Sequence, residues 1–139
     1  MNRATTTAAA ALLLLGACTP PLQTAASACA TPLKPAVQVD LYFGRETDKG
    51  RQITEAEWAS FLNEEVTPRF PAGLSVVDAA GQYRESSGVI QRERSKLLVV
   101  VVFDAPAHGP KVQAIVETYS KRYGQNAVLR IERAVCAGL

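Results

Sequence analysis

Few side chains in this sequence can do chemistry, and none stands in a recognisable catalytic array. His108 is the only histidine among 139 residues. It falls in a loop just before a helical pattern, where a general base could act. Spacing places no serine or cysteine beside it, so it is expected to be a solvent-exposed loop residue. The three cysteines, Cys18, Cys29 and Cys136, are too dispersed to make a zinc site with one histidine. No Asp or Glu set marks a cation site either, so neither a metal nor a cofactor is expected.

The sharper candidates are Asp40, Tyr42 and Lys96. Gathered on one sheet face, they would make a small cofactor-free enzyme. Asp40 would be the base, Lys96 the electrostatic stabiliser and Tyr42 a hydrogen-bond donor. Lys96 adjoins an apolar run, and partial desolvation would lower its pKa, as a catalytic lysine requires. Strand alternation puts Arg92, Arg94 and Lys96 on one face and Glu93 on the other. Three cations there could hold an anionic group, and they equally fit a solvated strand face that resists edge pairing. Arg45 and Arg51 precede a helix start and form a second anion candidate, without the glycine spacing of a phosphate loop. Arg69, between Pro68 and Pro71, reads as a tie for loop carbonyls or a carboxylate.

The elements that must position these residues follow from periodicity. Val37 to Phe43 alternates strictly and predicts a strand with Val37, Val39, Leu41 and Phe43 on one face. Thr54-Glu55-Ala56-Glu57 is a capping box opening a helix, with Trp58, Phe61, Leu62 and Val66 on its buried side and Pro68 ending it. Leu74 to Arg84 and Val89 to Phe103 predict a long hairpin around Glu85–Gly88, with a bulge or twist near Gly81 or Arg92. Pro110 suits the first turn of a second helix, and Val112, Ile115, Val116, Tyr119 and Tyr123 form its stripe. Gly124 suits its left-handed cap, and Val128 to Arg133 is the last strand.

The order β-α-β-β-α-β with two right-handed crossovers gives an α+β, ferredoxin-like two-layer sandwich with antiparallel sheet order 4-1-3-2. This topology sets the end of the fourth strand beside the start of the first. Cys29 and Cys136 lie just outside those two points. With Cys18 otherwise engaged they are an even pair, and they read as one disulfide closing a loop of roughly 100 residues. Helices cover only one sheet face. The other receives Gln38, Asp40, Tyr42 and alternate residues of Leu97–Phe103, a run that is apolar throughout. That open face is expected to be an interface or a pocket.

The N-terminus speaks of location. Arg3, an apolar run to Leu15 and small residues before Cys18 make an export signal rather than a membrane span. Leu15-Gly16-Ala17-Cys18 resembles the lipobox of bacterial lipoproteins, which are cut before the cysteine that then carries the lipid. Ala26-Ser27-Ala28 offers the alternative of ordinary secretion. Thr19 is not the aspartate that retains lipoproteins in the inner membrane. In a host with two membranes the resemblance implies the periplasmic face of the outer one. Residues 1–17 are then a signal peptide, 18–36 a Pro- and Ala-rich tether, and 37–136 a single domain. Loss of the signal removes only Arg3 from the 15 basic residues and none of the 13 acidic ones, so the net charge is near zero. No basic stripe argues for nucleic acid.

Leu41-Tyr42-Phe43-Gly44, Thr67 to Leu74, Arg92 to Lys96 and Val135-Cys136 together resemble a family of small exported bacterial proteins classed only as a domain of unknown function. The resemblance spans about residues 37–136 and implies no activity, substrate or cofactor. It supports the domain limits and the cysteine pair. The expected role is a lipid-anchored cell-envelope domain that binds or scaffolds, through a homodimer or an envelope partner. The small enzyme described above is the alternative. Cys18→Ser should abolish lipid attachment, read by mass spectrometry of the mature N-terminus. A wild-type N-terminus without lipid contradicts the anchoring.

Overall fold

The computed structural model describes residues 29–139. The expected signal peptide at 1–17, Cys18 with its expected lipidation, and the expected tether up to residue 28 lie outside the described residues. The chain runs β1 (Lys34–Gly44), α1 (Glu55–Phe61), β2 (Ser75–Arg84), β3 (Ile90–Val102), α2 (His108–Tyr123) and β4 (Leu129–Ala137). The four strands form one antiparallel sheet in the order β2-β3-β1-β4, and both helices lie over one face. This is the ferredoxin-like sandwich the sequence pattern predicts. Strand β1 starts at Lys34, three residues before the predicted Val37. Alternation does not mark this extension because Pro35 sits in it. Proline is tolerated there because this end of β1 pairs with β4 alone.

The first helix begins as its capping box dictates. The Thr54 hydroxyl accepts from the Glu57 N–H, and the Glu57 carboxylate accepts the Thr54 N–H at 2.8 Å. The helix does not stay regular to Pro68. Residues Leu62–Val66 form a π-helical turn, and the Thr67 N–H reaches back to the Leu62 carbonyl. In an unbroken α-helix, Glu65 would align with Trp58, since seven residues make almost two turns. The wider turn shifts that alignment by one residue. Val66 is thereby fully buried, and Glu65 is released to pair with Arg69 and Arg122.

The hairpin differs from expectation in one respect. No bulge interrupts it near Gly81 or Arg92. The register runs without a slip from Ser75↔Val99 to Arg84↔Ile90. The turn supplies the needed geometry instead. The Gly88 N–H bonds to the Glu85 carbonyl, and Gly88 takes φ +88°, the left-handed residue that closes a three-residue hairpin loop.

Helix-facing residues of β1 and β3, namely Val39, Leu41, Phe43, Leu98, Val100 and Val102, meet Trp58, Phe61, Val112, Ile115 and Tyr119 from the helices. Phe43, Trp58, Phe61, Tyr119 and Tyr123 form a continuous aromatic cluster. Tyr119 is edge-on to Phe43 and Phe61, at centroid distances of 4.7 and 4.9 Å. Such pairs contribute about 0.5–1.5 kcal/mol each beyond the area they bury.

Cys29 and Cys136 are joined across a sequence separation of 107. The pair sits where β1 and β4 run side by side, with Pro35 opposite Cys136. In the chain-entropy account, a closure of that length stabilises by about 4–5 kcal/mol. Replacing both cysteines by serine should lower the unfolding free energy by that order in urea titrations. An unchanged midpoint in oxidised protein would contradict this role.

Candidate functional site

Among the described residues four polar or ionisable side chains are buried: Asp40, Arg45, Lys96 and His108. Two of them, Arg45 and Lys96, meet the same carboxylate at the end of the sheet, where Arg45 also lines a cleft. Lys96 stands on β3, opposite Phe43 of β1 on one side and Asp78 of β2 on the other, and so points to the helix-covered face. Its Nζ bonds to Asp78 Oδ1 and lies 3.0 Å from Glu55 Oε2. The other oxygen of Glu55 meets Arg45 Nη1 at 2.9 Å. Arg45 also donates from Nε to the Ile53 carbonyl at 3.2 Å. One carboxylate therefore spans two buried cations. The cavity beside them is about 390 Å³, walled by Arg45, Ile53, Glu55, Asp78, Ala80 and Arg94 among others.

The electrostatics of Lys96 reverse the sequence expectation. Its pKa is raised, first by the hydrogen bond to Asp78 and then by Glu55; burial acts the other way and is outweighed. Lys96 is a fixed cation at neutral pH, not a deprotonated base. Glu55 is held below the ordinary carboxylate range, by Lys96 first and Arg45 next.

Asp40 and Tyr42 lie on the opposite side of the sheet. They pair with Val99 and Leu97, one residue out of phase with Lys96. The predicted trio of Asp40, Tyr42 and Lys96 is therefore not assembled. Asp40 is also engaged: Gln38 donates to it at 2.7 Å and Arg133 bonds its other oxygen. Around this pair the open face is apolar. Val77, Val101, Leu129 and Ile131 are all exposed there.

The remaining candidates separate. Arg92, Arg94 and Lys96 do share a face by register, yet only Lys96 is buried among acids, Arg94 walls the cleft, and Arg92 stands further along the exposed arm. Arg51 is bidentate to Glu57 at 2.9 and 3.0 Å and holds no anion site with Arg45. Arg69 ties the Glu65 carbonyl and carboxylate. His108 is buried and not an exposed loop residue. It opens α2 against β4, with Nε2 at 3.2 Å from Glu132 Oε1. Its Nδ1 has no hydrogen-bond partner among the described residues. Among those residues no cluster of three or more His, Cys, Asp or Glu could hold a metal ion. No helix there is long and apolar enough to cross a membrane.

Asp78 and Glu55 escape the sequence reading for different reasons. Asp78 had a usable signal: a symmetric turn at Glu85–Val89 pairs it with Lys96. Glu55 had none, because its contact with β3 is purely tertiary.

The family described as "Protein of unknown function (DUF3574)" matches residues 38–138. The chain belongs to this family. No curated protein matches it. Among solved structures, a phage SAM lyase in complex with S-methyl-5'-thioadenosine is 16% identical, with a TM-score of 0.56 over 73% of this chain and 90% of that one. The phage SAM lyase in its apo state is 14% identical, with a TM-score of 0.55 over 75% and 86%. CutA from Synechococcus elongatus is 13% identical, with a TM-score of 0.49 over 76% and 84%. At such identities the lyase likeness shows a shared fold alone.

The capping box yields a pH prediction. The Glu57 carboxyl is pulled down to about 2, chiefly by Arg51 and then by Thr54. In the unfolded chain it titrates near 4.5. Its contribution is therefore complete above that value and is lost as pH falls toward about 2. Glu57→Gln should lower the urea midpoint at neutral pH, and the two proteins should converge below about pH 2–3. A gap that stays constant with pH would contradict the ionic part of the cap.

Proposed function

We propose that this protein is a lipid-anchored cell-envelope domain with a binding or scaffolding role, and that its open sheet face docks a second copy of itself. The anchoring rests on Leu15-Gly16-Ala17-Cys18, and the docking on the apolar strip opposite the helices. One observation carries the docking. Val77, Val101, Leu129 and Ile131 are 50, 39, 59 and 39% exposed on a single face spanning the sheet from β2 to β4.

Size supports this occupant. Strands spaced about 4.8 Å apart and paired over about nine residues give a face on the order of 600 Å² in projection. The accessible area of a corrugated face is larger, which brings it near the roughly 800 Å² per partner of a standard interface. A two-fold axis lets one strip cover itself, as the commonest homodimers do. Asp40 and Arg133 sit within the strip already paired, with Gln38 as a further donor, so covering them leaves no lone charge. A catalytic role on this face finds less support. Asp40 is bonded to two partners, and Lys96 belongs to the other side.

The test is sedimentation of the lipid-free Cys18→Ser chain with its disulfide intact. A dimer is expected, and Ile131→Lys or Val101→Glu should give a monomer with unchanged circular dichroism. A parent chain that stays strictly monomeric at high concentration overturns the self-docking.

A further inference from the structure

We infer that the cleft between the end of β1, the β2–β3 edge and the start of α1 is a binding site for a small organic acid, whose carboxylate takes the place of Glu55 between Arg45 and Lys96. The site lies on the side of the sheet away from the self-docking strip and does not depend on it.

The argument begins from an asymmetry. The two cations are buried and fixed. Lys96 rises from the middle of a paired strand. Arg45 is tied to the Ile53 carbonyl by its guanidinium, and its own backbone bonds to Arg94 and Ile53. Their counter-ions are the reverse. The Glu55 and Asp78 side chains are 73 and 83% exposed. Either acid can swing into water and regain full hydration. The cations cannot follow, and an unpaired buried charge is costly. The position held by Glu55 is therefore a carboxylate place that its present occupant can leave and another can fill.

Geometry specifies the ligand class. Glu55 divides its oxygens between Arg45 Nη1 at 2.9 Å and Lys96 Nζ at 3.0 Å, the contact a planar carboxylate makes with two separated donors. The cleft wall also carries Ala80, an exposed apolar residue that can meet a short hydrocarbon body. Across the cleft stands Arg94, which has no ion pair among the described residues. It would meet a second acid group. Three cations face two carboxylates here; once Glu55 swings out only Asp78 remains, and two positive charges are left for the two acid groups of the ligand. A volume of about 390 Å³ suits a short dicarboxylic acid.

The experiment is an NMR titration of the disulfide-bonded wild-type chain with succinate, with inorganic phosphate in parallel. Succinate should perturb Arg45, Glu55 and Lys96, and phosphate should do so far less. Removing the internal competitor should tighten binding. Glu55→Ala, or Glu55→Gln should the alanine variant fold poorly, is expected to bind succinate about tenfold more tightly than wild type. Lys96→Met should lose binding, and Glu117→Ala, on α2 and outside the cleft walls, should leave it unchanged. Wild type unperturbed at saturating succinate overturns the proposal. So does phosphate binding as strongly as succinate, or binding that survives Lys96→Met. Because wild type carries the first readout, failure of a variant to fold leaves the test intact. A monomeric chain that still binds succinate would refute the self-docking and not this site.

Discussion

The Tyr119 hydroxyl donates to the Gly44 carbonyl at 2.8 Å in a place with no access to water. An unmet polar group there would cost about 1–3 kcal/mol, so the bond is effectively obligatory. It joins the C-terminal half of α2 to the last residue of β1. Around it the Tyr119 ring packs on Phe43, Trp58 and Phe61, so one side chain gathers a strand and both helices. Burial pushes its phenol well above the usual tyrosine range, which keeps it a donor at any ordinary pH. The next residue is Arg45. Its place in the cleft follows from where Tyr119 and the Arg94 carbonyl stop β1.

A two-layer sandwich gives its sheet two unlike faces. On the helix side, apolar residues fill the interior until the helices run out near Lys96. There the strand must bury a charge or end. The chain meets that demand with acids from β2 and from the start of α1, which is why a cation cleft forms at this point on the sheet. On the other side nothing from the described residues covers the strip around Asp40. The same run that makes β3 central, apolar on both faces, leaves Leu97, Val99 and Val101 with no partner layer.

The elements themselves were legible in the sequence because each rests on a local rule. Alternation marked β1, the capping box marked α1, and the Tyr119 stripe with Gly124 marked α2 and its left-handed end. Two of the departures come from competition with tertiary packing, and the third from local turn geometry. Local propensity favours a regular helix to Pro68, and the packed chain instead takes a π-helical turn at Leu62–Val66 with Val66 in the core. Local polarity favours an exposed His108, and the approach of β4 buries it against Glu132. The length of the hairpin predicts a bulge or twist near Gly81 or Arg92; the register carries no bulge, and a left-handed Gly88 closes the turn.

The sequence by itself determined which residues of one strand share a face, the strand order, and the meeting of Cys29 with Cys136. Those follow from a period of two, from handed crossovers and from the adjacency of first and last strands. Only the tertiary structure decided which chemical groups meet. Asp40 and Lys96 carry opposite charges and fall on neighbouring strands, yet a register one residue out of phase sets them on opposite sides of the sheet. Glu55 and Lys96 stand far apart in the chain, yet helix packing brings them to 3.0 Å. Periodicity can say that a side chain points up or down. Its partners depend on register and helix placement, which are long-range contacts that no local pattern encodes.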